Sequence, residues 1–345
     1  MLRWYVGIEI GGTKLQIAVG RGEGEPCLAF WRGAIDATQR AERIQQQILT
    51  GVDELLRQAN LSRDQVAGVG IGFGGPVDTL NGRVVTSNQV AGWGSFPLVE
   101  WISAHLGWPA VLHNDADTAA FAEAHFGAGR GFDPVMYVTV GSGIGGGLIF
   151  NGKIFRGSGA GALEIGHLRP GARHFRVAVP GKSVESIASG FGIEERCRRA
   201  IADWLGSSSA GPHPRFPERF AKLMSLAGDD VKRVTARMIG QAAAHGDELS
   251  GDLLADSTGT LGWALAQAIT LINPARIVIG GGVSLIGEQQ FFEPVRAACR
   301  AEVFEPFAGI AEIVPAELGE EVVIHGALAL ARDHFREQSG SCASA

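Results

Sequence analysis

Three glycine-rich turns, each directly after a β-like apolar run, are the segments of this 345-residue chain best suited to phosphate chemistry. The first is Gly11-Gly12-Thr13-Lys14, the second opens with Gly141-Ser142-Gly143 and runs to Gly147, and the third is Gly280-Gly281-Gly282. Such turns leave backbone N–H groups unscreened by side chains, and several N–H groups pointing one way form a nest for phosphate oxygens. Thr13 and Lys14 add a hydroxyl and an ammonium suited to a terminal phosphoryl group. Taken singly, the first turn reads equally as an ordinary hairpin with a solvated lysine. Three together imply a polyphosphate. Gly141 to Gly146 also fits G-x-G-x-x-G, but that dinucleotide fingerprint must open a helix, and here the strand-like Leu148-Ile149-Phe150 follows. Pro180-Gly181-Lys182-Ser183 ends like a Walker A loop, yet Arg176 stands where its first glycine is needed.

A phosphoryl acceptor needs a base and a polar lining. Asn114-Asp115 follows the β-like run Ala110 to His113, at the kind of strand end where α/β folds put ligands. Asp115 there can take a hydroxyl proton, or it can simply cap the apolar helix that begins near Ala119. Glu164 and His167 are close enough in sequence to reach one ligand, and Glu185 reads by default as an exposed helix residue. With Asn88 and Asn114 these residues would supply the partners that the hydroxyls of a desolvated sugar demand.

The elements that must position these groups alternate between α and β. Trp4–Ile10 and Leu15–Val19 flank the first glycine turn as a hairpin, and Val135–Val140 with Leu148–Phe150 repeat the arrangement, suggesting two lobes related by duplication. Ile44, Ile48, Val52, Leu55 and Leu56 recur at helical spacing and predict a helix over 41–58 leading to a strand at Val66–Ile71. A second helix is expected from Thr260 to Ile272, stopped by Pro274, then a strand at Arg276–Ile279 and a last helix over 325–336. Gly206 to Pro217 reads as a surface loop and Gly340 to Ala345 as a frayed tail. A net charge of −6 without any basic run argues against nucleic acid. No signal-like start and no apolar run near the roughly 20 residues of a bilayer span lead to the expectation of a cytoplasmic protein without a membrane partner. The widely separated Cys27, Cys197, Cys299 and Cys342 suit reduced thiols.

In order along the chain, these segments resemble the ROK family of sugar kinases. Gly7-Ile8-Glu9-Ile10-Gly11-Gly12-Thr13-Lys14 is similar to its first phosphate motif, Gly70 to Asp78 to its G-x-G-x-P-G-x-V-D segment, and Ser87-Asn88 with Gly92-Trp93 to its sugar-side segment. His113-Asn114-Asp115-Ala116-Asp117 resembles the catalytic E-N-D-A-N, Val140 to Gly147 the second phosphate motif, and Asn273-Pro274 through Ser284 the adenosine segment. The resemblance, over residues 5–332, implies an actin-like ATPase (ribonuclease H-like) duplicated α/β fold with two lobes around a central cleft. On that fold the small lobe would hold residues 1–114 plus 325–345 and the large lobe residues 115–324. It also implies that Asp115 is the catalytic base and that Asn88, Asn114, Asp115, Glu164, His167 and Glu185 contact the sugar. Gly11, Gly12, Thr13, Lys14, Gly141, Ser142, Gly143, Gly281 and Gly282 would hold ATP, with Mg²⁺ on the side of Glu9, and the protein would be a homodimer.

Three departures stand out. Glu9 occupies a position that is usually aspartate in the family, Leu163 one that is usually glycine, and the stretch Phe175 to Glu185 carries no cysteine where most members bind a structural zinc. No zinc is therefore expected, with packing by Val177, Val179 and Val184 in its place. The expected activity is ATP-dependent phosphorylation of a hexose, glucose first, with N-acetylmannosamine, N-acetylglucosamine and fructose as alternatives. A non-catalytic sugar or nucleotide sensor is the rival from another class, and a repressor would need a DNA-reading helix-turn-helix ahead of Gly7.

Overall fold

The computed structural model describes residues 3–36, 40–87, 90–158, 161–171, 175–177, 179, 181, 183–207 and 218–341. In chain order the strands are β1 (Trp4–Ile10), β2 (Lys14–Gly20), β3 (Ala29–Ala34), β4 (Val66–Phe73), β5 (Val77–Asp78), β6 (Arg83–Val84), β7 (Ala110–Asn114), β8 (Val135–Val140), β9 (Ile144–Phe150), β10 (Lys153–Ile154), β11 (Arg276–Gly280) and β12 (Glu312–Pro315). The helices are α1 (Ala41–Ala59), α2 (Leu98–Leu106), α3 (Asp115–Phe126), α4 (Val184–Ala188), α5 (Gly190–Ser207), α6 (Ala221–Ala227), α7 (Ala236–Ala244), α8 (Glu248–Ile272), α9 (Glu293–Glu302) and α10 (Val322–Ser341). Two compact units result, one of residues 1–132, 147–162 and 317–345, the other of residues 133–146 and 163–316. The first unit thus runs through α3 to Phe132, past the boundary that the sequence suggested after Asn114, because α3 packs against α10.

The first unit is built on a five-stranded sheet in the order β3-β2-β1-β4-β7. β1 pairs antiparallel with β2 and parallel with β4, and β4 pairs parallel with β7. The apolar residues of α1 named above are all buried, and the helix ends at Asn60, whose left-handed backbone donates its amide to the last turn. Ile44, Ile48, Val52 and Leu55 join Ile8, Ile10, Leu15, Ile17 and Ile71 in one core. α10 covers another part of this unit, where Ile324, Leu328, Ala331 and Phe335 pack with Tyr5, Ala18 and Val111. α10 starts three residues before the expected 325 and continues to Ser341, so part of the expected frayed tail is helix.

In the second sheet, of order β10-β9-β8-β11-β12, the strands β8, β11 and β12 are parallel and belong to the second unit. Both sheets therefore contain parallel strands, and β1, β8 and β11 each run into a glycine turn. α8 begins at Glu248, twelve residues before the expected Thr260. Asp247 caps it by accepting the Ser250 amide, and Ser257, Thr258 and Thr260 turn their hydroxyls back to the carbonyls of Leu253, Leu254 and Asp256. Polar residues satisfied inside the helix in this way do not end it. Among the described residues no helix is long and apolar enough to cross a membrane.

Candidate active site

Parallel strands place the candidate residues of the first unit in one row. Ile10, Phe73 and Asn114 are register partners at the C-terminal ends of β1, β4 and β7, so Gly11, Gly74 and Asp115 leave the sheet side by side. Open α/β sheets bind ligands at this edge. The Gly74 amide donates to Ile10 O at 2.8 Å, and the Gly11 amide closes its own turn on Lys14 O at 3.0 Å. Asn114 caps α3, its side-chain oxygen accepting from the Ala116 and Asp117 amides while its Nδ2 donates to Gly75 O at 3.0 Å. The capping role that position allowed to Asp115 thus falls to its neighbour. Asp115 is half-buried, and its Oδ1 accepts from the Ala116 amide at 2.8 Å.

Glu9 faces this row from β1. Its carboxylate lies 3.2 Å from Lys14 Nζ, and its other oxygen is 2.6 Å from the end of the Gln16 side-chain amide, which satisfies both groups when the amide nitrogen is turned toward it. Lys14 Nζ also donates to Glu320 O at 3.3 Å. Burial pushes the Glu9 carboxyl up to about 7, Lys14 opposes the rise, and Asp115 and Glu320 add to it. Carboxylate oxygens such as those of Glu9 and Asp115 are of the kind a hard divalent cation takes. Among the described residues there is no cluster of three or more His, Cys, Asp or Glu side chains able to hold a metal ion. Asn88 lies outside the described residues.

The second unit gathers another set. Gly280 and Thr139 are register partners, so the glycine turns after β11 and β8 begin next to each other. Gly281 has a left-handed φ of 89°, and a Cβ there would lie 2.6 Å from the Val140 backbone, so this approach needs glycine. The Gly141 amide donates to Gly143 O at 2.9 Å, and Gly141 O in turn accepts from the Gly190 amide at 2.8 Å. By position alone Glu185 reads as an exposed helix residue, whereas the family resemblance makes it a sugar contact. It is half-buried in α4 and accepts the Ile144 amide at 2.7 Å, and a Cβ on Gly143 would come within 2.6 Å of its Oε2. Glu164 and His167 do meet, Oε2 to Nε2 at 4.0 Å, and both side chains are exposed. Leu163, next to them, holds a left-handed φ of 63°.

Sequence reasoning missed a buried pair behind this set. Arg196 on α5 and Asp256 on α8 meet at 2.5 Å, and Asp256 also accepts the amides of Arg176 and Val177, each at 3.0 Å. The stretch 175–185 has no cysteine to ligate zinc, and the amides of Arg176 and Val177 within it are bonded to the Asp256 carboxylate. Val177 and Val184 are buried there, whereas Val179 is half-buried. Cys27, Cys197 and Cys299 are free thiols, and burial pushes the Cys197 thiol up to about 12. In the sequence Asp256 lay ahead of the helix expected from Thr260, so no apolar period drew attention to it.

The ROK family model matches residues 5–334, and the chain belongs to this family. Its structure is similar to the ROK family glucokinase of Streptomyces griseus solved in complex with glucose and AMPPNP. That likeness has a TM-score of 0.78 and 30% identity, covering 96% of this chain and 99% of that one. Among curated proteins it is 28% identical to a glucokinase of Halalkalibacterium halodurans, over 94% of this chain and 93% of the relative. It is 29% identical to a glucokinase of Streptomyces coelicolor, over 95% and 97% respectively.

Proposed function

We propose that this chain transfers the γ-phosphoryl group of ATP to a hexose, glucose first, with Asp115 as general base. It is an ATP-dependent sugar kinase, a class supported by glucokinase relatives that span almost the whole chain and by the fold shared with a glucokinase crystallised with glucose and a nucleotide analogue. The observation that most supports the role of Asp115 is its place beside Gly74 and the first glycine turn, at the edge where β1, β4 and β7 end. Asn114 holds the start of α3 with both ends of its amide, so the neighbouring carboxylate is presented from a fixed backbone. Asp115 would align the attacking hydroxyl and take its proton, which is typically worth ~10²–10⁴ in rate.

The remaining roles are those that the family resemblance implies. Gly11, Gly12, Thr13 and Lys14 would hold the terminal phosphates, Lys14 exchanging its contact with Glu9 for one with the nucleotide. Gly141, Ser142, Gly143, Gly281 and Gly282 would hold the rest of ATP. Bound with ATP, Mg²⁺ would neutralise charge on the phosphates, and Glu9 is the residue of this chain suited to face it. Asn88, Asn114, Glu164, His167 and Glu185 are the proposed sugar contacts.

The decisive experiment couples ADP release to a panel of hexoses and N-acetylhexosamines in wild type and Asp115→Asn. Glucose-dependent turnover should fall at least about 100-fold in the variant while calorimetry still detects glucose. Turnover that survives in Asp115→Asn would remove the base from this residue. Binding without turnover by the wild type would favour a sensor.

A further inference from the structure

α4 has only five residues, too few to hold its own orientation, yet it carries Glu185. Its bearings come from outside. Arg196 donates to Ile187 O at 3.3 Å, and the Ser257 hydroxyl reaches the same carbonyl at 3.1 Å. A second guanidinium nitrogen of Arg196 bonds both Asp256 and Val177 O, the latter at 3.0 Å, while Asp256 accepts from Arg176 and Val177 on the approach to α4. One ion pair therefore grips the chain on both sides of Glu185. On the ligand side the Glu185 carboxylate meets the Ile144 amide, and Ser183 and Ser186 close the start of α4 by reciprocal bonds.

We propose that Arg196 and Asp256 are positioning residues for the acceptor site, an ion pair behind α4 that sets where the Glu185 carboxylate lies against the second glycine turn. Arg196 is fully buried and Asp256 nearly so, and taking both charges out of water is costly. An apolar pair would fill the same space, but it could not bond the amides of Arg176 and Val177 and the carbonyls of Val177 and Ile187. The geometry thus retains the charges for placement. The inference rests on the reading of Glu185 as a sugar contact.

Three variants test it: Asp256→Asn, Arg196→Lys, and the double change Arg196→Met with Asp256→Leu, which removes the charges without leaving one of them buried alone. Each is assayed for the KM of glucose and of Mg·ATP separately, with amide exchange followed at Ile144, Arg176 and Val177. The double variant should fold, raise the KM of glucose about tenfold with the nucleotide KM within about twofold, and exchange faster at Ile144. Arg196→Lys, which keeps the charge but reaches fewer partners, should recover part of the glucose KM. If the double variant folds with unchanged glucose KM and unchanged protection at Ile144, the pair is packing only and the proposal fails. Should the wild type phosphorylate no sugar, the kinase reading fails alone, and exchange at Ile144 still decides whether the pair places Glu185.

Discussion

Leu163 carries a backbone conformation that suits glycine. A bulky residue at a φ of 63° is a genuine outlier, and the left-handed region costs an L-residue roughly 1–2 kcal/mol. The strain sits one residue before Glu164, on a turn whose carbonyl presses on Gly146, where a Cβ would meet it at 2.7 Å. Strain of this kind persists where the surroundings over-determine it, commonly at ligand sites. Leu163→Gly should release it. Against the greater freedom that glycine gives the unfolded chain, a net gain of about 0.5 kcal/mol is expected, and an unchanged or lower urea midpoint would contradict the strain. No pattern of neighbouring residues announces a left-handed leucine; the sequence carried only the mismatch with the glycine that the family uses there.

At the scale of elements, β7 is tied to the segment after β10 by Arg156, which meets His113 Nδ1 at 2.8 Å. Burial, then the charge of Arg156 and of His334, pulls the His113 ring down to about 3, so it is neutral at pH 7. Its pKa in the fold lies below the ordinary value, and the unfolded chain takes up the proton first. The stability tied to the neutral ring is therefore full above about pH 6.5 and is lost as pH falls toward 3, at up to about 1.4 kcal/mol per pH unit. Urea unfolding of wild type and His113→Gln between pH 7 and 4.5 checks this: the wild type should lose stability more steeply. Periodicity made β7 legible, but not its partner, 43 residues away. Glu123 gives the same lesson. On α3 it is fully buried and accepts the amides of Ala128, Glu317 and Leu318.

For the whole molecule, the chain returns at its end to complete what its beginning started. Phe335 on α10 is buried in a core that includes Tyr5 and Val111, so the first unit cannot close its sheet face until residues from both ends of the sequence are present. A chain ending at Arg332 should lose on the order of 3–5 kcal/mol, as for deletion of a buried phenylalanine. Its melting midpoint should drop by several degrees, with faster amide exchange in β1 and β4. An unchanged midpoint would show that α10 is dispensable beyond Arg332.

By itself the sequence determined the strands that lead into the three glycine turns, the buried face of α1 and the place of Asp115 after a strand, since apolar period and turn chemistry act between near neighbours. Only the tertiary structure decided that Asn114 rather than Asp115 caps α3, that Glu9 and Asp115 feel each other's charge, and that Arg196 finds Asp256 across 60 positions. Those outcomes depend on which strands lie side by side and which helices pack. No spacing along a chain encodes a contact whose cost and gain are settled only when both partners leave water together.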